Sequence, residues 1–87
     1  KRWDRRWRLV MFDIQERHRV ARQIFQRKLR SLELHPLQRS VYVTPYPCAD
    51  AMDLLCEVYG IRPFVHCLEL SSLGYVDPAM RTRFRLP

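Results

Sequence analysis

The chain has 87 residues, with 16 Lys and Arg against 9 Asp and Glu and a formal net charge of +7. That length fits one domain and excludes two. A chain so short buries only about 60–65% of its unfolded surface, so a second chain, a metal or a disulfide often supports such a core. A hydrophobic fraction of 47% excludes a disordered basic tail, and two glycines exclude a glycine-rich phosphate loop.

In chain order, residues 1–8 are charged and aromatic, and a continuous apolar run follows at Leu9, Val10, Met11 and Phe12. Continuous apolarity marks a strand buried on both faces, placed at about residues 7–14. From Glu16 to about Leu32 the spacing predicts a helix. Val20, Ala21, Ile24, Phe25, Leu29 and Leu32 form its apolar arc, and Arg19, Arg22, Arg27 and Arg30 lie opposite. Pro36 blocks continuation, and 34–38 reads as a short strand. Residues 40–44, with Val41, Tyr42 and Val43, are a β-branched and aromatic strand stopped by Pro45. Asp50 is the expected N-cap of a helix over about 51–59, and Gly60 its expected stop. Residues 64–70 read as the last strand, and one helical turn is expected near 78–83.

The order strand, helix, strand, strand, helix, strand is the split βαβ pattern of an α+β, ferredoxin-like βαββαβ fold, an antiparallel sheet with two helices on one face. The whole chain, 1–87, reads as that single domain. Val10, Phe12 and Ile14 point to one face of the first strand, and Trp7, Leu9 and Met11 to the other. Helices cover one face only, so a second copy is expected on the other, giving a C2 homodimer.

The basic excess is almost all arginine, since Lys occurs only at positions 1 and 28. Arginine pairs with phosphate through a planar fork and stacks on flat rings, so a nucleic acid is the first partner expected. The candidate contacts are Arg5, Arg6, Arg8, Arg19, Arg22, Arg27, Arg30 and Arg39. Around them, Trp3 and Trp7 suit base stacking or core packing, with Trp7 read as core, and Arg81, Arg83 and Arg85 add a basic tail. Cys48, Cys56 and Cys67 are too widely spaced for a structural zinc site and read as free buried thiols of a reducing cytoplasm. No apolar run approaches the ~20 residues of a membrane span, so no membrane contact is expected. No catalytic triad or nucleotide-binding motif assembles from the spacing.

Residues 3–10 (Trp3-Asp4-Arg5-Arg6-Trp7-Arg8-Leu9-Val10), then Phe12-Asp13-Ile14, then Leu37-Gln38-Arg39-Ser40-Val41-Tyr42-Val43, resemble the domain shared by PaaX-type transcriptional regulators and the small CRISPR adaptation protein that partners the spacer integrase. Tyr46-Pro47-Cys48 and Tyr59-Gly60-Ile61-Arg62-Pro63 fit the PaaX-like version better. The resemblance covers nearly the whole chain. It implies a ferredoxin-like fold, a homodimer and work on nucleic acid, within a regulator or with the CRISPR integrase subunit as partner. In the regulators a similar domain follows a winged-helix domain, and a chain that begins at Lys1 fits an excised domain of that kind. Two departures stand out: the pattern favours Gly where this chain has Arg5, and Pro where it has Gln15.

In the CRISPR relatives the Asp closing the first strand is the metal-binding and nuclease residue, and Asp13 matches it. The resemblance thus implies Mg²⁺ as cofactor and, as the alternative to a non-catalytic module, a metal-dependent endonuclease with two copies of Asp13 across the dimer axis. The other reading of Asp13 is a cap on the helix that follows. Glu16 and His18 are secondary candidates, as a first-turn acid or base and as a proton shuttle.

Overall fold

The computed structural model describes residues 2–87; the charge of Lys1 lies outside them. Six residues with strong β preference, Trp7–Phe12, form the central strand β1. It pairs antiparallel with β3 (Val41–Thr44) on one side and β4 (Val65–Leu70) on the other. β2 (His35–Gln38) adds to β3, and the sheet order is β2-β3-β1-β4. Three helices complete an α+β architecture: α1 (Arg19–Ser31), α2 (Ala49–Tyr59) and α3 (Asp77–Arg83). None is long and apolar enough to cross a membrane among the described residues.

β1 stops two residues short of its expected limit at 14. The ladder ends at Phe12, opposite the first residues of β3 and β4, yet Ile14 stays buried in the core. The helix expected from Glu16 begins instead with a 3-10 turn, Glu16–His18, and becomes α-helical at Arg19. Its apolar arc is narrower than the spacing implies. Phe25 and Leu29 are buried, but Val20 in the first turn and Leu32 beyond the last turn overhang the sheet and are exposed. The expected cap at Asp50 is also corrected. α2 starts at Ala49 with Cys48 at the N-cap, and Asp50 sits in the first turn, where its charge meets the positive end of the helix dipole. Gly60 does end α2, in the left-handed region at φ 64°, with its N–H bonded to the Cys56 carbonyl.

Two cores lie on the two faces of the sheet. On one, α1 and α2 pack Phe25, Leu29, Met52 and Cys56 against Val10, Phe12 and Tyr42. The Phe12 and Phe25 rings meet edge to face at 5.2 Å, the arrangement favoured by the aromatic quadrupole. On the other, Trp7, Trp3 and Val43 are buried with Leu70, Leu73, Met80, Phe84 and Leu86 around them. The second face is thus covered in part by the chain's own C-terminal segment. The expectation of a second copy on that face is corrected to that extent. Beyond α3, Leu9 and Val41 remain half-buried, and Leu68 on the edge strand is 45% exposed.

The cysteines are free, as expected, but only Cys56 is buried; Cys48 is half-buried and Cys67 exposed. Trp7 and Tyr42 are core residues, and Trp3 is buried with Trp7, so neither indole is presented for base stacking.

Candidate nucleic-acid interface

The fold sorts the arginines by what their charges meet. Arg8 is enclosed. Its fork takes both oxygens of Asp4 at 2.9 and 2.6 Å and also donates to the Pro45 carbonyl at 2.9 Å. Its Nε has no hydrogen-bond partner and faces Glu69 at 3.6 Å. Arg8 ties the N-terminal segment to the β3–α2 connection, so its role is internal and it leaves the candidate surface. Arg6 reaches Glu69 at 3.8 Å, and Arg19 and Arg22 share Glu16 at 3.2 Å each. Arg22 also donates to the Ile14 carbonyl, tying the start of α1 to the end of β1. Arg81 of the expected basic tail is equally committed, to Asp77 at 2.6 Å and to the face of Trp3.

Arg5 stands in the left-handed region at φ 66°, with its guanidinium 5.8 Å from the Trp3 ring centroid. The turn around it is closed by Asp4, which accepts the Arg6 N–H, and by the Trp3 indole, which donates to the Arg6 carbonyl. Arg5 is the position where the PaaX-like pattern has Gly. The positive φ supplies the physical reason for a glycine there.

Arg27, Arg30 and Arg39 are exposed and form no ion pair among the described residues. The Gln26 amide donates to the Arg39 carbonyl, which joins the β2–β3 turn to α1. Arg30 lies one helical turn beyond Gln26 and lines a cleft with His35 and Pro36 of β2. The three therefore follow one edge of the molecule, along α1 and β2. Arg83 of α3 continues that edge by donating its Nε to His35 Nδ1 at 3.2 Å. The sequence reading left His35 unassigned and Arg83 in a basic tail. No local signal joins them, because they lie 48 residues apart.

Asp13 is exposed at the end of β1. Its N–H bonds to the Phe64 carbonyl at 2.9 Å, but its carboxylate has no partner among the described residues. The expected cap is not made. The 3-10 turn has Gln15 at its N-cap with no side-chain bond, and α1 likewise starts without one. Glu16 is spent on Arg19 and Arg22, and His18 lies beside the Phe64 ring at 5.8 Å. Among the described residues no three His, Cys, Asp or Glu side chains gather to hold a metal ion. Asp13 alone supplies one oxygen donor group. Mg²⁺ needs one or two carboxylates with phosphate and water, so one chain by itself does not make the site.

The fold is a two-faced antiparallel α+β domain, and its unneutralised arginines give it a basic surface of the kind that attracts polyanions. Residues 1–81 match the PaaX protein central Cas2-like domain, and the chain belongs to that family. Comparison with curated proteins finds no match.

Proposed function

We propose that this chain is a dimerising, nucleic-acid-associated domain of a larger regulator or complex, and that it lays Arg27, Arg30 and Arg39 along phosphates. One observation carries the reading: these arginines lack carboxylate partners, whereas Arg8, Arg19, Arg22, Arg62 and Arg81 have them. A cation without an internal counter-charge is the one able to neutralise an external phosphate. The sheet order β2-β3-β1-β4 supports the ferredoxin-like reading of the fold. The apolar strip at Leu9, Val41 and Leu68, which α3 leaves open, supports docking of a second copy there.

Binding of fluorescent duplex DNA and RNA at several salt concentrations tests this. The expected log–log salt slope is about −0.9 per phosphate neutralised, and Arg27→Glu with Arg39→Glu flattens it by about 2. Absence of binding at low salt refutes the reading.

The endonuclease alternative draws support from the unpartnered Asp13 carboxylate, which internal bonds leave available. It requires a second copy to bring a second carboxylate. Incubating wild type and Asp13→Ala with RNA and DNA, with and without Mg²⁺, decides it: Mg²⁺-dependent cleavage lost in the variant supports it, and equal or absent cleavage ends it.

A further inference from the structure

A cavity of about 560 Å³ lies between the end of α1, the start of β2 and α3. Arg30 and Arg83 line it from opposite elements, His35 and Phe84 lie between them, and Glu33 is the one carboxylate in the lining. We propose that this cleft is a nucleotide subsite of the basic edge, in which Arg30 and Arg83 grip one phosphodiester of a nucleic-acid strand and His35 and Phe84 pack against the attached sugar and base. The proposal rests on the reading of the chain as a nucleic-acid-associated domain and names the place where a strand is held.

Three features carry it. The first is the state of Arg83. Other arginines with a defined side-chain hydrogen-bond partner bond a carboxylate, but Arg83 donates its Nε to an imidazole nitrogen. An accepting Nδ1 belongs to a neutral ring, and burial, followed by the charge of Arg83, pushes the His35 pKa down and keeps it neutral. Arg83 is therefore oriented without being neutralised. Its two terminal amines make no bond among the described residues, and they are the fork that a phosphate takes in bidentate fashion.

The second feature is shape. Small-molecule pockets run about 300–1,000 Å³, and this one is within that range. The Phe84 ring stands edge-on to His35, with centroids 6.5 Å apart, and gives the wall a flat apolar surface.

The third is continuity. Arg30 is one turn from Gln26, whose amide bonds the Arg39 carbonyl, so the cleft adjoins the exposed arginines of α1 and of the β2–β3 turn. Glu33 itself sits in the left-handed region at φ 68° at the end of α1. Its carboxylate opposes an anion, and removing its charge is expected to strengthen binding.

The test uses the 87-residue chain, a fluorescein-labelled single-stranded oligothymidine and AMP. Arg30→Gln and Arg83→Gln are each expected to weaken oligothymidine binding about tenfold and to reduce the salt slope by about 1. Glu33→Gln is expected to tighten it about threefold. Arg62→Gln, which removes the same charge beside Asp53 on another part of the surface, leaves affinity unchanged. Titration with AMP, followed by NMR, is expected to shift the backbone signals of Arg30, His35, Arg83 and Phe84. Far-ultraviolet circular dichroism confirms that the variants are folded.

If oligothymidine binds normally to Arg30→Gln and Arg83→Gln, the subsite is wrong while the broader surface reading stands. If AMP shifts the cleft but neither variant alters strand binding, the cleft takes a free nucleotide and the strand proposal is overturned. If neither oligothymidine nor AMP binds, both readings fall together.

Discussion

The Trp7 indole N–H donates to Asp77 Oδ2 at 3.0 Å, joining the first strand to the last helix across 70 residues. The same carboxylate oxygen accepts the Leu73 N–H at 2.9 Å, and the other oxygen takes Arg81 Nε at 2.6 Å. Asp77 is buried, and these three bonds hold the C-terminal segment on the second face of the sheet. Asp77→Ala strands the buried Trp7 donor and the half-buried Leu73 N–H and unpairs Arg81. The expected cost is roughly 2–4 kcal/mol, read as a fall in Tm of roughly 10–25 °C. Trp7 fluorescence shifts to the red at the same time, because the C-terminal segment no longer excludes water. An unchanged Tm contradicts the assignment.

The acid limb of stability follows from the same carboxylate. The Leu73 N–H above all, then Arg81, hold the Asp77 pKa below its ordinary 3.8, against the opposing effect of burial. The Arg8 fork does the same for Asp4. A depressed carboxylate contributes stability that is complete above the unfolded value and is lost as pH falls through the folded value. His35 acts earlier. Its folded pKa lies below 6.5, so the neutral ring favours the folded state and that contribution fades as pH falls below 6.5. Urea midpoints should fall modestly below pH 6.5 and steeply below pH 4. His35→Gln is expected to remove the first decline and Asp77→Asn to reduce the second.

Arg5 holds a glycine's backbone conformation. Arg5→Gly relieves the clash of a Cβ in the left-handed region and is expected to raise stability by about 0.5–1 kcal/mol, whereas Arg5→Ala, which keeps the Cβ, does not. Thermal melts of both variants check the pair. Equal effects would mean that the charge of Arg5, and not its backbone, governs the difference.

Leu68 offers the test of the dimer. It projects from the edge strand with 45% of its surface exposed, so Leu68→Glu leaves the monomer's stability within about 0.5 kcal/mol. In a dimer docked on that face the new carboxylate is buried without a partner, and association is lost. Sedimentation equilibrium of the wild type should give a dimer, and of the variant a monomer. A monomeric wild type refutes the docking.

The sequence was legible wherever the physics is local. The apolar run of β1, the β-branched Val41-Tyr42-Val43 segment and the stop at Gly60 depend on neighbours a few residues away, and their elements form within two or three residues of their expected limits. The family was legible for a related reason, since its diagnostic residues lie in and just beside the two central strands. The candidate surface was legible only as a list of cations. Arg8 and Arg30 look alike in the chain, yet one is sealed against Asp4 and the other lies open beside a cleft.

By itself, then, the sequence determined the α+β order of elements, the faces of the central strand and an arginine-rich surface, because periodicity and composition act at short range. Only the tertiary structure decided which arginines are neutralised, that the chain's own C-terminus shields Trp7, and that Arg83 meets His35. Those outcomes depend on distance through space and on exclusion of water, and residues far apart in the chain acquire both only when the sheet and helices have packed.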